Sequence, residues 1–310
     1  MRRLIIGIAG VAVLLVGCGG DHRAEPARDR FDADRAFADL EAQVALGPRP
    51  AGSAANRRQT TFLAGRLRDA GVSGVRVQRP HRNVVGKIPG TEPDAILLAA
   101  HHDTKDVPAL LGANDGASGV AVVLELARAL PDRVRGPAVH FALFDAEEAR
   151  GVRSFEEDGL RGSRQYVRYA QASERGRPTQ GTPPLGEIQS MILLDLVGDC
   201  DLSLPREAYS DPELYTYIAL QAPGDDTPFG GTTAAIVDDH VPFLDAGVSA
   251  VDLIDFTYGP GPRPGAYWHT PEDTLDKVCP ESLDAVGEAV LAVLPQAGGV
   301  RGETSRRRYP

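Results

Sequence analysis

Four short, nearly continuous apolar runs, at residues 95–100, 138–144, 191–196 and 250–254, are separated by stretches with a helical period. A run with no polar face fits a strand covered on both sides. The stretches between them, 117–130, 163–172, 212–220 and 282–294, repeat apolar side chains at three- and four-residue intervals, as amphipathic helices do. Ahead of them, Asp32 is placed to cap a helix running through Phe37, Leu40, Val44 and Leu46, and residues 54–70 carry a second helical pattern. This alternation predicts an α/β fold, a three-layer α/β/α sandwich around a central mixed, mostly parallel sheet. No internal repeat or second linker interrupts residues 32–300, which are read as a single catalytic domain, with Gly/Pro-rich loops at 173–186 and 221–232 that either shape the pocket mouth or are plain surface.

Ligands of such sheets bind outside the carboxyl ends of the strands. The first run here ends in His101-His102-Asp103, the second in Asp145-Ala146-Glu147-Glu148 and the third in Asp195, while the fourth leads into a loop ending at Trp268-His269. A lone Glu-Glu pair is most often a solvated helix start, and Asp115 in Gly112-Ala113-Asn114-Asp115-Gly116 would ordinarily be a turn residue. Four separate strands delivering imidazole or carboxylate to one edge is a different matter. Those groups without Cys are the donor set of a catalytic divalent zinc site with an open position. His101, Asp115, Glu148, Asp195 and His269 are the candidate ligands. Asp103, two residues after His101, faces the same way and is expected to hold the imidazole from behind. Glu147 and Glu148 are adjacent, so if one ligates metal the other can hang over the substrate as a general base.

The amino terminus reads as an address. Arg2 and Arg3 precede an uncharged apolar run at 4–16, too short to cross a ~30 Å hydrocarbon core comfortably. It ends in Leu15-Val16-Gly17-Cys18, which resembles a bacterial lipobox. Residues 1–17 are therefore expected to be a lipoprotein signal peptide, Cys18 the lipidated residue, and 18–31 a flexible tether. The protein is then extracytoplasmic and lipid-anchored to the bacterial cell membrane. Cys200 and Cys279 remain, and an oxidising compartment permits a bridge between them, with two ordinary buried thiols as the alternative.

Charge narrows the partners. Lys plus Arg number 33 against 43 Asp plus Glu, a net charge of -10, and only Lys87, Lys105 and Lys277 are lysines. An acidic chain whose one basic run is the Arg-rich tail at 301–310 repels phosphate backbones, so nucleic acid is excluded as a partner.

Taken together, His101-His102-Asp103-Thr104, Gly112 through Gly119, Phe144-Asp145-Ala146-Glu147-Glu148, Gly162-Ser163-Arg164, Leu194-Asp195-Leu196-Val197-Gly198, Asp238-Asp239-His240-Val241-Pro242-Phe243 and Trp268-His269-Thr270 resemble the superfamily of zinc aminopeptidases and animal-type glutaminyl cyclases. Gly47-Pro48-Arg49-Pro50-Ala51-Gly52-Ser53 opens the match. The resemblance implies zinc held by Asp115, Glu148 and His269, with Glu147 as the general base and acid. Aminopeptidases add a second zinc through the positions of His101 and Asp195, bridged by that of Asp115, whereas cyclases usually keep those side chains with one zinc. Asp238 and Trp268 match the cyclase pattern, with Asp195 and Asp238 as substrate-orienting catalytic groups, Trp268 and Asp252 in the substrate pocket and His240 behind the site. Asp252 stands where animal cyclases have His. The expected activity is zinc-dependent conversion of an N-terminal Gln to pyroglutamate with release of ammonia, by a monomer acting on peptide or protein N-termini. The alternative is a di-zinc aminopeptidase. The resemblance also implies a cis bond between Asp115 and Gly116.

Overall fold

The computed structural model describes residues 30–177, 179–224 and 227–295. The expected signal peptide, the lipidated Cys18, the tether up to residue 29 and the tail at 301–310 lie outside the described residues. Two helices come first, α1 (Ala33–Val44) and α2 (Ala54–Asp69). Each is started by a side chain that accepts a backbone N–H three residues on, Asp32 from Arg35 and Ser53 from Asn56. Asp32 thus caps the helix as expected.

Six strands form the main sheet: β1 (Ser73–Val77), β2 (Val84–Ile88), β3 (Ala95–His101), β4 (Ala138–Phe144), β5 (Ile188–Asp195) and, last in the chain, Ser249–Ile254. Two short strands between them, β6 (Leu204–Arg206) and β7 (Phe229–Thr232), pair with each other, which makes Ser249–Ile254 β8. The order across the sheet is β1-β2-β4-β3-β5-β8. Neighbours among β4, β3, β5 and β8 run parallel, and β1 and β2 are an antiparallel addition at one edge. The sheet is mixed and mostly parallel, as the apolar runs require.

Every residue of β4 is buried, because helices cover both faces. Alternate side chains of β3 and β8 separate accordingly. Leu98, Val251 and Leu253 join the core beneath α1, α2, α3 (Ser118–Ala129) and α8 (Pro280–Val293), whereas Leu97, Ala99 and Ala250 join the core beneath α5 (Arg161–Glu174) and α7 (Val241–Asp245). The remaining helices, α4 (Phe155–Asp158) and α6 (Pro212–Ala219), are short. Phe141, fully buried in the first of these cores, is worth about 3 to 5 kcal/mol against truncation to Ala.

Chain order places the site. From β3 the chain goes to β4 on one side and then crosses to β5 on the other. That reversal opens a crevice at the carboxyl ends of β3 and its neighbours, where open α/β sheets bind ligands. At Gly119 in α3 an added Cβ would lie 1.9 Å from the Leu194 carbonyl oxygen. Only glycine lets the helix lie this close to β5, and the closeness holds the Asp115 loop over the strand that ends in Asp195.

A disulfide joins Cys200 to Cys279, with their Cα atoms 4.8 Å apart. The thiol alternative is thereby removed. The bridge ties the loop after β5 to the segment after His269, and a backbone hydrogen bond from Cys279 N–H to Gly198 C=O lies beside it.

Candidate active site

His101 is the last residue of β3 and Asp195 the last of β5, Glu147 and Glu148 follow β4, and His269 sits in the loop after β8. The ends of β4 and β5 and the His269 loop are each turned by a residue in a strained backbone conformation. Ala146, Leu196 and His269 all have positive φ, at 62°, 49° and 55°, a conformation that costs a side-chain-bearing residue about 1 to 2 kcal/mol. Here it turns the chain sharply enough for adjacent residues to aim at one point.

The five candidate ligands converge. His101 Nε2 lies 3.2 Å from Asp115 Oδ1 and 3.1 Å from Asp195 Oδ1. His269 Nε2 lies 3.3 Å from Asp115 Oδ2 and 2.7 Å from Glu148 Oε1. Asp115 therefore shows one oxygen to each imidazole and stands between two donor triads. Around a tetrahedral zinc with bonds of ~2.0 Å, neighbouring donors are about 3.3 Å apart, so these spacings suit that ion. The charge balance asks for a cation as well. Burial and the charge of Glu148 push the Glu147 carboxyl well above the usual carboxylate range, and burial with Asp195 does the same to Asp238. Burial opposes protonation of His269, but Asp115 and Glu148 outweigh it and lift the imidazole to about 9. A divalent metal would take over the role of those protons.

The residues behind the ligands differ in part from expectation. Asp103 Oδ1 is 3.8 Å from His101 Nδ1, too far for a hydrogen bond. Its two oxygens instead accept the backbone N–H groups of Glu147 and Glu148, at 3.1 and 3.3 Å. It supports the turn after β4 more than the imidazole. The bond between Asp115 and Gly116 is trans, since the cis bonds are Arg79–Pro80 and Arg263–Pro264. The loop is aimed by other means. Gly116 has φ +87°, and a Cβ there would lie 2.3 Å from the Asp103 carbonyl oxygen. The Asp273 carboxylate accepts the N–H groups of Asn114 and Asp115 and the hydroxyl of Tyr258. Arg49, wholly buried, donates to the carbonyl oxygens of Leu111 at 2.6 Å and Gly112 at 2.8 Å.

A cavity of about 370 Å³ opens beside the ligands. Ile236, Ile254, Phe256 and Trp268 form its apolar wall, with Glu147 and Asp238 among its polar lining. Trp268 stacks on His269 with ring centroids 3.6 Å apart, and Phe256 meets Trp268 edge-on. Lys105 Nζ reaches Glu148 Oε2 at 3.1 Å. Asp238 is 4% exposed, and its Oδ2 has no hydrogen-bond partner among the described residues.

Two expected residues lie elsewhere. Asp252 is buried but does not line the cavity. It shares a face of β8 with Ile254, one pleat repeat further from the strand end, and so sits beneath the floor. His240 touches none of the candidate ligands. Its Nε2 is 3.2 Å from Glu207 Oε1 and its Nδ1 3.8 Å from Asp252 Oδ2. Asp273, Glu207 and Lys105 were not singled out from the sequence, and Arg49 entered only within a matching motif. None ends one of the four apolar runs, and Asp273, Glu207 and Arg49 resemble the many other acids and arginines of this chain.

A mixed sheet with a buried imidazole and carboxylate cluster at its carboxyl edge defines an α/β protein with a candidate metal site. The sequence profile described as peptidase family M28 matches residues 83–294, and the chain belongs to that family. It is 30% identical over 212 residues to Aminopeptidase YwaD of Bacillus subtilis (strain 168), covering 66% of this chain and 41% of that protein. It is 28% identical over 243 residues to the Glutaminyl-peptide cyclotransferase-like protein of Mus musculus, covering 70% and 61%. The chain thus spans less than two thirds of the length of these curated relatives. Among solved structures, the Acidobacteriales bacterium glutaminyl cyclase superposes with a TM-score of 0.72 at 30% identity, covering 87% of this chain and 94% of that one. A Zn-dependent exopeptidase from Parabacteroides distasonis does so at 0.69 and 25% identity, covering 85% and 97%.

Proposed function

We propose that this chain is a zinc-dependent glutaminyl-peptide cyclotransferase, converting an N-terminal Gln to pyroglutamate. Asp115, Glu148 and His269 hold the metal, which when bound supplies a Lewis acid for the γ-carboxamide oxygen. The α-amine nitrogen attacks the amide carbon; a C–N bond forms, the bond to the amide nitrogen breaks, and ammonia leaves. Glu147, on the cavity wall beside the ligand Glu148, takes the proton from the amine and hands it to the departing nitrogen. Asp195 orients the amine. No water is consumed.

The observation that carries this reading is the unpartnered Asp238 Oδ2 beside the cavity's apolar wall of Ile236, Ile254, Phe256 and Trp268. A buried carboxyl oxygen left without a partner is costly, and the –NH2 of a glutamine side chain is the donor it lacks. An apolar substrate side chain would leave it unmet. Incubating the purified protein with a Gln-initiated peptide tests the reading: a mass loss of one ammonia with the chain length unchanged is expected, and release of a free amino acid overturns it.

One observation favours a second reading. Asp115 presents separate oxygens to the His101 and His269 groups, as a carboxylate bridging two metals would. In a di-zinc aminopeptidase the same Glu147 would deprotonate water for attack on the first peptide bond. Two zincs per chain together with amino acid release would establish that reading; one zinc with ammonia release favours cyclisation.

We further propose that residues 32–300 form a single catalytic domain, active as a monomer and anchored outside the cytoplasm through lipidated Cys18. The Cys200–Cys279 bridge supports an oxidising compartment. Expression in a bacterial host should place the chain in the membrane fraction, and Cys18→Ser should release it.

A further inference from the structure

Charge is layered around the cavity. The five carboxylates that line it, Asp115, Glu147, Glu148, Asp195 and Asp238, are all buried, at most 9% exposed. Only Ala235, Val237 and Arg263 among the lining residues are exposed, so Arg263 is the sole charge at the mouth. The other cationic side chain of the lining, Lys105, is engaged with Glu148. Arg150 and Arg153, on the loop that leads to the lining residue Phe155, are engaged with Asp158. Arg263 has no acidic partner among the described residues.

A substrate N-terminus enters amine first, so its positive charge travels to the buried carboxylates. A cavity of about 370 Å³ is near the lower end of the range for ligand pockets and takes one residue. The residues that follow emerge past Ala235, Val237 and Arg263. We propose that Arg263 is a specificity residue that favours peptides with Asp or Glu in the second or third position. This rests on the reading that the site takes peptide N-termini, and holds whether the reaction is cyclisation or hydrolysis. In a chain of net charge -10, distant charges repel an acidic peptide. An unpaired guanidinium among the exposed lining residues reverses that locally and adds a carboxylate contact that an uncharged peptide lacks.

The test uses the full-length, zinc-loaded protein and two amidated peptides, Gln-initiated and identical except for Glu or Lys at the second position. An exposed ion pair is worth a threefold to fivefold preference at about one Debye length of screening. The Glu peptide should therefore have a kcat/KM about threefold to fivefold higher, carried by KM. The preference should shrink in about 0.5 M salt. It should disappear in Arg263→Gln and invert in Arg263→Glu. Equilibrium binding of both peptides to Glu147→Gln is measured in parallel and should give the same ratio. Equal binding of the two peptides, or a preference that survives in Arg263→Glu, overturns the inference. Absence of turnover for both peptides would instead count against the reading of the site, while the binding ratio still decides the role of Arg263.

Discussion

The backbone N–H of Asp115 donates to Oδ2 of Asp273 at 3.1 Å, and the N–H before it, of Asn114, donates to Oδ1 at 2.7 Å. A carboxylate 158 residues away thus fixes the loop whose own carboxylate stands between the two donor triads. Burial and the Asp115 charge push Asp273 up to about 7, so this hold on the loop opposes a strong electrostatic penalty.

Asp273→Ala removes that support and leaves all five candidate ligands intact. Supporting residues of this kind are worth 10- to 100-fold in metal affinity. Zinc affinity, measured by competition with a chromophoric chelator, should fall by about that factor. An unchanged affinity would mean that Arg49 and Gly116 suffice to aim the loop.

Glu147→Gln keeps the size of the side chain and removes its basicity. A positioned general base contributes about 10²- to 10⁴-fold, so kcat should fall by that range. Zinc content, read by elemental analysis, should not change. Loss of zinc along with activity would show that Glu147 is a ligand and not the base.

Stability in acid should depend on Glu207. Burial raises its carboxyl, but His240, the Ser210 and Tyr209 backbone and Ile236 N–H outweigh burial and bring it down to about 2. A carboxyl depressed on folding adds stability above its unfolded value of ~4.3, and that stability is lost as pH falls toward 2. Glu207→Gln should cost about 2 to 3 kcal/mol at pH 7, and the gap from wild type should narrow at each step below about pH 4.5. Urea midpoints over that range decide it; a constant gap would assign the cost to packing.

The Cys200–Cys279 bridge closes a loop with a sequence separation of 79. Constraining the unfolded chain over that length is worth about 2 to about 4.5 kcal/mol. The double variant Cys200→Ser, Cys279→Ser should lose that amount in chemical denaturation, and treatment of wild type with a reductant should lose the same. A smaller loss would point to strain in the native bond.

Which parts of the fold could be read in advance follows from burial. β4 and β5 are sheathed by helices, so their apolar runs are nearly unbroken. β1 and β2 lie at the edge; Ser73 and Gly74 open one, and Gly86 and Lys87 interrupt the other, so neither carries a clear period. β6 and β7 are shorter still, and Phe229–Thr232 lies in what reads as a Gly/Pro-rich loop. Within the site, His101, Glu148 and Asp195 were visible because each follows an apolar run, and Asp115 and His269 because they stand in distinctive loop motifs. The supports were not. Asp273 works by accepting backbone N–H groups, which any acid near a helix start can do. Arg49 works by donating to carbonyl oxygens, in a chain with 30 arginines. The trans bond after Asp115 follows from the same residues, since the orientation assigned to a cis bond is supplied by Asp273, Arg49 and the left-handed Gly116.

The wide spread of these groups along the chain has a consequence for how the protein matures. Arg49 lies near the start of the described residues and Asp273 near their end, and the two converge on one loop from opposite sides. No fragment that stops short of the last of them contains a finished metal cradle, and an unfolded chain holds no preformed one. Metal loading of such a cradle would therefore be a late step, possible only once nearly the whole domain has been made and has closed.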